Sequence, residues 1–427
     1  MIKRLVIGLT ILVGFNVEAA TVEELKSRPL FSIEALQYIG GFRVPRGENG
    51  VSSIAYSQGP ITLGANGESL YVTGSVRDQS VAEITIPALV NSMNIENMNT
   101  ASWVQPFSLA LERAQTGNPQ NVDRIGGMEL VDGRLLVNGY EYYDADVSVS
   151  HTTLVMSNAA NLGGSTVHGF YSLQGGAHAS QWISPIPQEW QSHLGGTHLA
   201  GSSSELAIAT RSTIGPSAFA FNPVGSGMGT ASPGSISTVA LQDFDMDHPL
   251  GSYEREIEVY RDYMYNTDRT NKLWTYLSTV GYGFIVPGTR TFLTIGSNGG
   301  LESGIGYKIT QNNGDVCGGP CAYDAEDYYN YYWLWDMNDW LEVRNGTRQP
   351  HEIMPYAHGK FVDGYPQTGF DRIYGGTYDY SRGILYLALS RGDYTGGAPY
   401  PLIVAFQIDT VAPANPPSNV TAREIEN

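Results

Sequence analysis

One pattern recurs along this chain and limits its fold more than any other feature. An apolar strand meets a turn of glycine and polar residues, a second apolar strand returns, and a third strand alternates. Ile61-Thr-Leu-Gly-Ala-Asn-Gly-Glu-Ser-Leu-Tyr-Val-Thr-Gly74, followed by Val81-Ala-Glu-Ile-Thr-Ile86, is one copy. Tyr378-Asp-Tyr-Ser-Arg-Gly-Ile-Leu-Tyr-Leu-Ala-Leu389, followed by Leu402-Ile-Val-Ala-Phe-Gln-Ile408, is another. A third opens with Asp123-Arg-Ile, which recurs as Asp371-Arg-Ile, and weaker copies span Glu205 to Phe221 and Phe284 to Ile295. Each copy reads as a β-meander, and a radial array of meanders is a propeller. A parallel β-helix would show a shorter, stricter period, and a sandwich would use fewer strands.

The expected fold is therefore all-β, a β-propeller over residues 20–410. Blades of about 40–50 residues would give six to eight, and seven is the expectation. Phe42-Arg-Val-Pro45 should share a blade with Leu402–Ile408, closing the ring without free strand edges. Composition agrees: 50 glycines, 27 tyrosines and sparse charge suit many short strands with tight turns. Helical patterns are almost absent; only Thr21 to Lys26 and Trp335 to Val343 suggest a helical turn.

The ends differ from the repeats. Lys3 and Arg4 precede an apolar run from Leu5 to Phe15, and Val17-Glu-Ala19 offers small residues at a cleavage site. This is the layout of a secretory signal over residues 1–19, too short to cross a bilayer comfortably as an anchor. A secreted product, extracellular or periplasmic, without membrane insertion is expected. Residues 411–427 form a proline-rich tail resembling the opening of a fibronectin type III module.

Only Cys317 and Cys321 occur, within Cys-Gly-Gly-Pro-Cys. In an oxidising compartment a short disulfide loop is the favoured reading, against half of a zinc site, which would want four ligands. The net charge of −18 argues against a nucleic-acid partner, because phosphate binding needs a basic surface. An anionic ligand would then need arginines concentrated locally.

The densest set of chemistry-bearing residues runs from Tyr140 to Ser217. Arg211 ends an apolar strand and could hold a carboxylate through two parallel hydrogen bonds, or form a structural ion pair. His151 and His198 are candidate proton carriers, and Tyr143 a candidate acid or base; each is also an ordinary structural residue type. Asp243, Asp245 and Asp247, with Glu254 at the twelfth position, copy the ligand spacing of a calcium loop, although His248 stands where glycine belongs. That loop would hold a structural Ca2+; the chemistry considered below requires no cofactor. Tyr323 to Trp340 is rich in aromatic residues and suits either a sugar-stacking platform or a core strand. No Gly-x-Ser-x-Gly motif supports a hydrolase elbow.

Tyr142-Tyr-Asp-Ala145, Ser150-His151, Ile186-Pro-x-x-Trp190, Gly195-Gly196, Arg211-Ser-Thr-x-Gly-Pro-Ser-Ala-Phe219, His248-Pro-Leu-Gly251, Pro287-Gly-Thr-Arg290 and Trp335-Asp-x-Asn-Asp339 resemble a family of secreted bacterial propeller proteins. The architecture also looks like the ulvan lyases of polysaccharide lyase families 24 and 25. That resemblance implies an enzyme cutting a uronate-containing, ulvan-like anionic polysaccharide by β-elimination, and a monomer is expected. Arg211, His151 and Tyr143 would be catalytic, and His198, Arg290 and Trp190 would bind substrate. The family's tyrosine has no clear match at its expected distance before Arg211, and a histidine expected before His151 is absent, that stretch reading Met128-Glu-Leu-Val-Asp132. A non-catalytic propeller binding glycan or protein at the cell surface explains both absences.

Overall fold

The computed structural model describes residues 20–144, 146, 148–203, 213–229, 234–251, 262–369, 371–394 and 397–408. Within them five four-stranded antiparallel meanders stand around one axis. Blade I comprises Ile61–Leu63, Ser69–Thr73, Ser80–Thr85 and Trp103–Leu109. Blade II comprises Arg124–Val131, Arg134–Tyr140, His151–Met156 and Val167–Leu173, with Ser235–Ile236 added in parallel at its outer edge. Blade III comprises Ile183–Pro185, His198–Ala200, Ala218–Phe221 and Val239–Gln242. Blade IV comprises Thr279–Ile285, Thr291–Gly299, Tyr328–Asp336 and Ala357–Lys360. Blade V joins Ile373–Asp379, Ile384–Asp393 and Tyr400–Ile408 to the early strand Leu36–Arg43.

The ring closes as the sequence suggested. Phe42 pairs with Ile403 and Arg43 with Leu402. The blade number does not match: there are five, not seven. Inner strands begin at Ile61, Arg124, Ile183, Thr279 and Ile373, so each blade consumes well over the 40–50 residues assumed. Excursions lengthen them. Blade IV carries a hairpin, Ile305–Tyr307 with Pro320–Ala322, and the helix Met337–Arg344 between its strands.

Glycine sets the radius of the ring. A Cβ on Gly375 would lie 1.9 Å from the Gly59 carbonyl oxygen, and one on Gly281 would lie 2.5 Å from that of Ile373. With no side chain there, the inner strands approach closely enough for a small ring to close. Strands of each blade pack between neighbouring blades, so both faces are buried. Leu385–Leu389 and Leu402–Phe406 are accordingly continuous runs of buried residues rather than alternating ones. Trp182, Trp190, Trp274, Trp333, Trp335 and Trp340 are all fully buried, so the aromatic strand ahead of Trp340 is mainly core.

Strand direction defines two faces. One, the loop face, carries the crossovers between blades and the connections from second to third strands. The other carries the turns from first to second and from third to fourth strands. Residues 20–35 run along that turn face, where Phe31 N donates to Thr291 Oγ1 and His193 Nε2 lies 2.9 Å from the Ala20 carbonyl. Among the described residues no helix is long and apolar enough to cross a membrane.

Candidate functional site

His151 and Tyr143 both lie on the loop face of blade II. The connection from Tyr140 to His151 is held by Asp144, whose carboxylate accepts from Ser148 N at 2.8 Å and Val149 N at 3.1 Å. Tyr143 projects from this loop with 65% of its surface exposed. His151 begins the third strand and is exposed. Its backbone N donates to Gln120 Oε1 at 2.8 Å, and its Nδ1 lies 3.0 Å from Ser150 Oγ and 3.2 Å from Gln120 Oε1. Nearby, Glu141 titrates above its ordinary range, through burial first and the carboxylates of Asp144 and Asp123 second. Arg211 lies outside the described residues, as does Glu254.

The three residues expected to bind substrate are placed elsewhere. His198 opens the second strand of blade III opposite Pro185, on the turn face. Its Nδ1 lies 2.9 Å from Thr197 Oγ1, and burial lowers its pKa to about 4 despite the opposing pull of Asp132. Trp190 is fully buried in the helix Gln188–Leu194, with the Arg28 guanidinium 5.9 Å from its ring centre. Arg290 sits in the first turn of blade IV. Its Nε donates to Asp336 at 3.0 and 3.1 Å, and its Nη1 donates to the carbonyls of Lys26 and Arg28 at 3.0 and 2.8 Å. It clamps residues 26–28 to the blade. The structure thus keeps His198, Trp190 and Arg290 apart from His151 and Tyr143.

The acidic loop is engaged internally. Asp243 Oδ1 meets His178 Nδ1 at 2.5 Å. Asp245 Oδ1 accepts from Asp247 N at 2.9 Å and His248 N at 2.7 Å, and lies 3.0 Å from His248 Nδ1. The Asp245 carboxylate thereby closes its own turn. Among the described residues no group of three His, Cys, Asp or Glu side chains gathers to hold a metal. Cys317 and Cys321 are joined in a disulfide across a Cα separation of 6.4 Å.

The loop face holds features that a linear reading passes over. At the axis, Gln58, Tyr140, Gln181, Ser203 and Tyr374 surround a depression of about 40 Å³. Between blades IV and V a larger cleft of about 480 Å³ opens beside it, and Thr279 and Tyr374 line both. The disulfide-bearing hairpin of blade IV forms one wall of the cleft, through Gln311, Asn313, Asp315 and Pro320. Arg372 and Arg391 from blade V stand on the other side. Tyr56, Tyr143, Tyr307, Tyr323 and Tyr394 are the exposed tyrosines among the described residues, and every one belongs to a loop-face connection. Deeper in the ring lies Glu129, accepting from Thr62 Oγ1 at 3.2 Å. Burial pushes its carboxyl up to about 8, and its charge helps keep Tyr282 and Tyr380 protonated.

Signals for these features existed but were faint. Arg372 stood in a repeated Asp-Arg-Ile triplet, and four of the five exposed tyrosines, all but Tyr56, have a glycine within the five residues before them. Which end of a strand each occupies becomes evident only when strand directions are known.

No family model matches the chain, and no curated protein matches it. Solved structures that this chain resembles distantly include hydrazine synthase from Kuenenia stuttgartiensis, 11% identical at a TM-score of 0.30, over 78% of this chain and 61% of that one. A luciferin-regenerating enzyme is 7% identical at 0.31, over 84% and 94% of the two chains. The periplasmic gluconolactonase PpgL of Pseudomonas aeruginosa is 10% identical at 0.27, over 81% and 69%. Similarity this distant carries no argument about fold or activity.

Proposed function

We propose that this chain acts outside the cytoplasm as a glycan-binding propeller whose loop face holds an acidic polysaccharide. The one-sided display of Tyr56, Tyr143, Tyr307, Tyr323 and Tyr394 carries the reading. Phenol rings present a flat apolar face with a polar rim, suited to the C–H faces and hydroxyls of sugars. A leader-like opening and a disulfide fit an oxidising compartment.

A catalytic form of the same reading is β-elimination, favoured by His151 and Tyr143 sharing that face on one blade. One of them would take the C5 proton of a uronate and the other protonate the departing glycosidic oxygen, with Arg211 opposite the carboxylate.

Affinity electrophoresis in gels containing polyuronate tests the first form, and release of unsaturated uronic ends, read as new ultraviolet absorbance, tests the second. Retardation that weakens in Tyr56→Ala and Tyr143→Ala, without absorbance change, supports the binding protein. Absorbance growth abolished by Arg211→Ala and reduced by His151→Ala supports the lyase. Neither retardation nor absorbance across a panel of acidic glycans refutes both.

A further inference from the structure

We infer that the cleft between blades IV and V is a carboxylate-recognising subsite for an acidic sugar; the inference rests on the glycan-binding reading and gives it a location. The first observation concerns charge. In a chain of net charge −18, many arginines elsewhere face carboxylates: Arg28 faces Glu189, Arg43 and Arg46 share Asp393, Arg290 faces Asp336, Arg348 faces Asp339 and Glu342, and Arg382 faces Asp379, while Arg113, Arg134 and Arg344 donate to backbone carbonyls. Arg372 and Arg391 form no ion pair with any described carboxylate, and both line this one cleft. Two guanidinium groups against the single carboxylate of Asp315 leave this cleft of an acidic protein locally positive, a field that selects an anion.

Geometry narrows the anion. The Arg372 guanidinium lies 4.3 Å from the Tyr328 ring centre. A guanidinium held beside an aromatic ring keeps N–H donors for the two parallel hydrogen bonds that match a carboxylate. The facing wall offers the amides of Gln311 and Asn313 and the carboxylate of Asp315, which accepts from Asn313 Nδ2 at 2.9 Å. Such groups suit sugar hydroxyls, and Asp315 disfavours a densely charged polymer. A volume of about 480 Å³ falls within the usual range for small-molecule sites, about 300–1,000 Å³. Because Thr279 and Tyr374 also line the axial depression, a chain anchored here by one uronate can extend across the loop face toward blade II.

The test compares the full chain with Arg372→Gln/Arg391→Gln, titrated with oligogalacturonate, with a neutral galactose oligomer and with a sulfated galactan. The acidic oligomer should bind with an affinity that falls as salt rises, and the double variant should lose at least tenfold of it. The neutral oligomer should bind wild type and variant equally. Arg391→Gln alone, at an exposed position, should lose several-fold and guards against misfolding of the double variant. Unchanged acidic binding in both variants overturns the subsite, and so does a wild type that prefers the sulfated galactan or binds no acidic oligomer. Arginine-dependent binding that is indifferent to Tyr56→Ala and Tyr143→Ala would instead keep the subsite and refute the tyrosine-face reading.

Discussion

Glu129→Gln should make the protein more stable at alkaline pH and flatten its stability profile. In the folded ring the Glu129 carboxyl is pushed from its ordinary value of 4.5 up to about 8, chiefly by burial, with a single hydroxyl donor, Thr62, opposing the shift. A folded-state value above the unfolded one means that the native protein holds the proton more tightly. Stability from this group is therefore complete at low pH, begins to fall as pH rises past the unfolded value, and is lost once pH passes about 8. Each pH unit in that window is worth about 1.4 kcal/mol, which amounts to roughly 3–5 kcal/mol, the lower end applying as water entering the channel solvates the carboxylate. The amide keeps the shape and the acceptor for Thr62 without ionising. Urea unfolding of wild type and Glu129→Gln should give similar free energies at pH 5 and diverge by several kcal/mol by pH 9. Parallel profiles from pH 5 to 9 would refute the upward shift of this half-buried carboxyl.

His198→Gln should act at the other end of the scale. With its folded pKa lowered to about 4, wild type loses stability as pH falls below about 6.5, and the variant should resist mild acid in thermal melts while binding glycan normally. Gly375→Ala should destabilise by about 1–3 kcal/mol or more, since the new methyl meets the Gly59 carbonyl oxygen at 1.9 Å; an unchanged denaturation midpoint would contradict the close approach of the inner strands. A thiol-reactive dye should label neither Cys317 nor Cys321 without reductant. Cys317→Ser/Cys321→Ser should cost about 2 kcal/mol at most, the loop closed being short, and should weaken the proposed uronate binding through the cleft wall, a difference visible by titration calorimetry.

Much of the architecture was legible because it follows from local chemistry. Apolar strands broken by glycine turns give meanders, and the match of Phe42-Arg43 to Leu402-Ile403 follows from the need to leave no strand edge open. The disulfide was readable because Cys317-Gly-Gly-Pro-Cys321 permits a tight turn. Blade number was not, since dividing chain length by a typical repeat ignores the hairpin and helix inserted in blade IV. The candidate residues failed for a geometric reason. His151 and His198 look equivalent in sequence, each beginning an apolar strand. One begins a third strand, at the loop face, and the other a second strand, at the turn face, and only strand direction separates them. Arg290 was expected to bind substrate. Its partners, Asp336 and the carbonyls of residues 26 and 28, are remote in sequence.

The pairing of Leu36–Arg43 with Tyr400–Ile408 also governs when the molecule can finish folding. Blades I to IV are built from strands that follow one another closely along the chain, so each can assemble as its own segment becomes available. Blade V cannot, because its outermost strand is synthesised first and its three other strands last. The early strand must wait, unpaired and partly apolar, for nearly the whole polypeptide to emerge. Loop closure over that separation is slow, and an unpaired strand is an aggregation hazard while it waits. Closure of the ring therefore waits on this pairing. Loss of Leu36–Arg43 or of Tyr400–Ile408 would not shorten the structure by one strand; it would leave the last blade open and the circle unsealed.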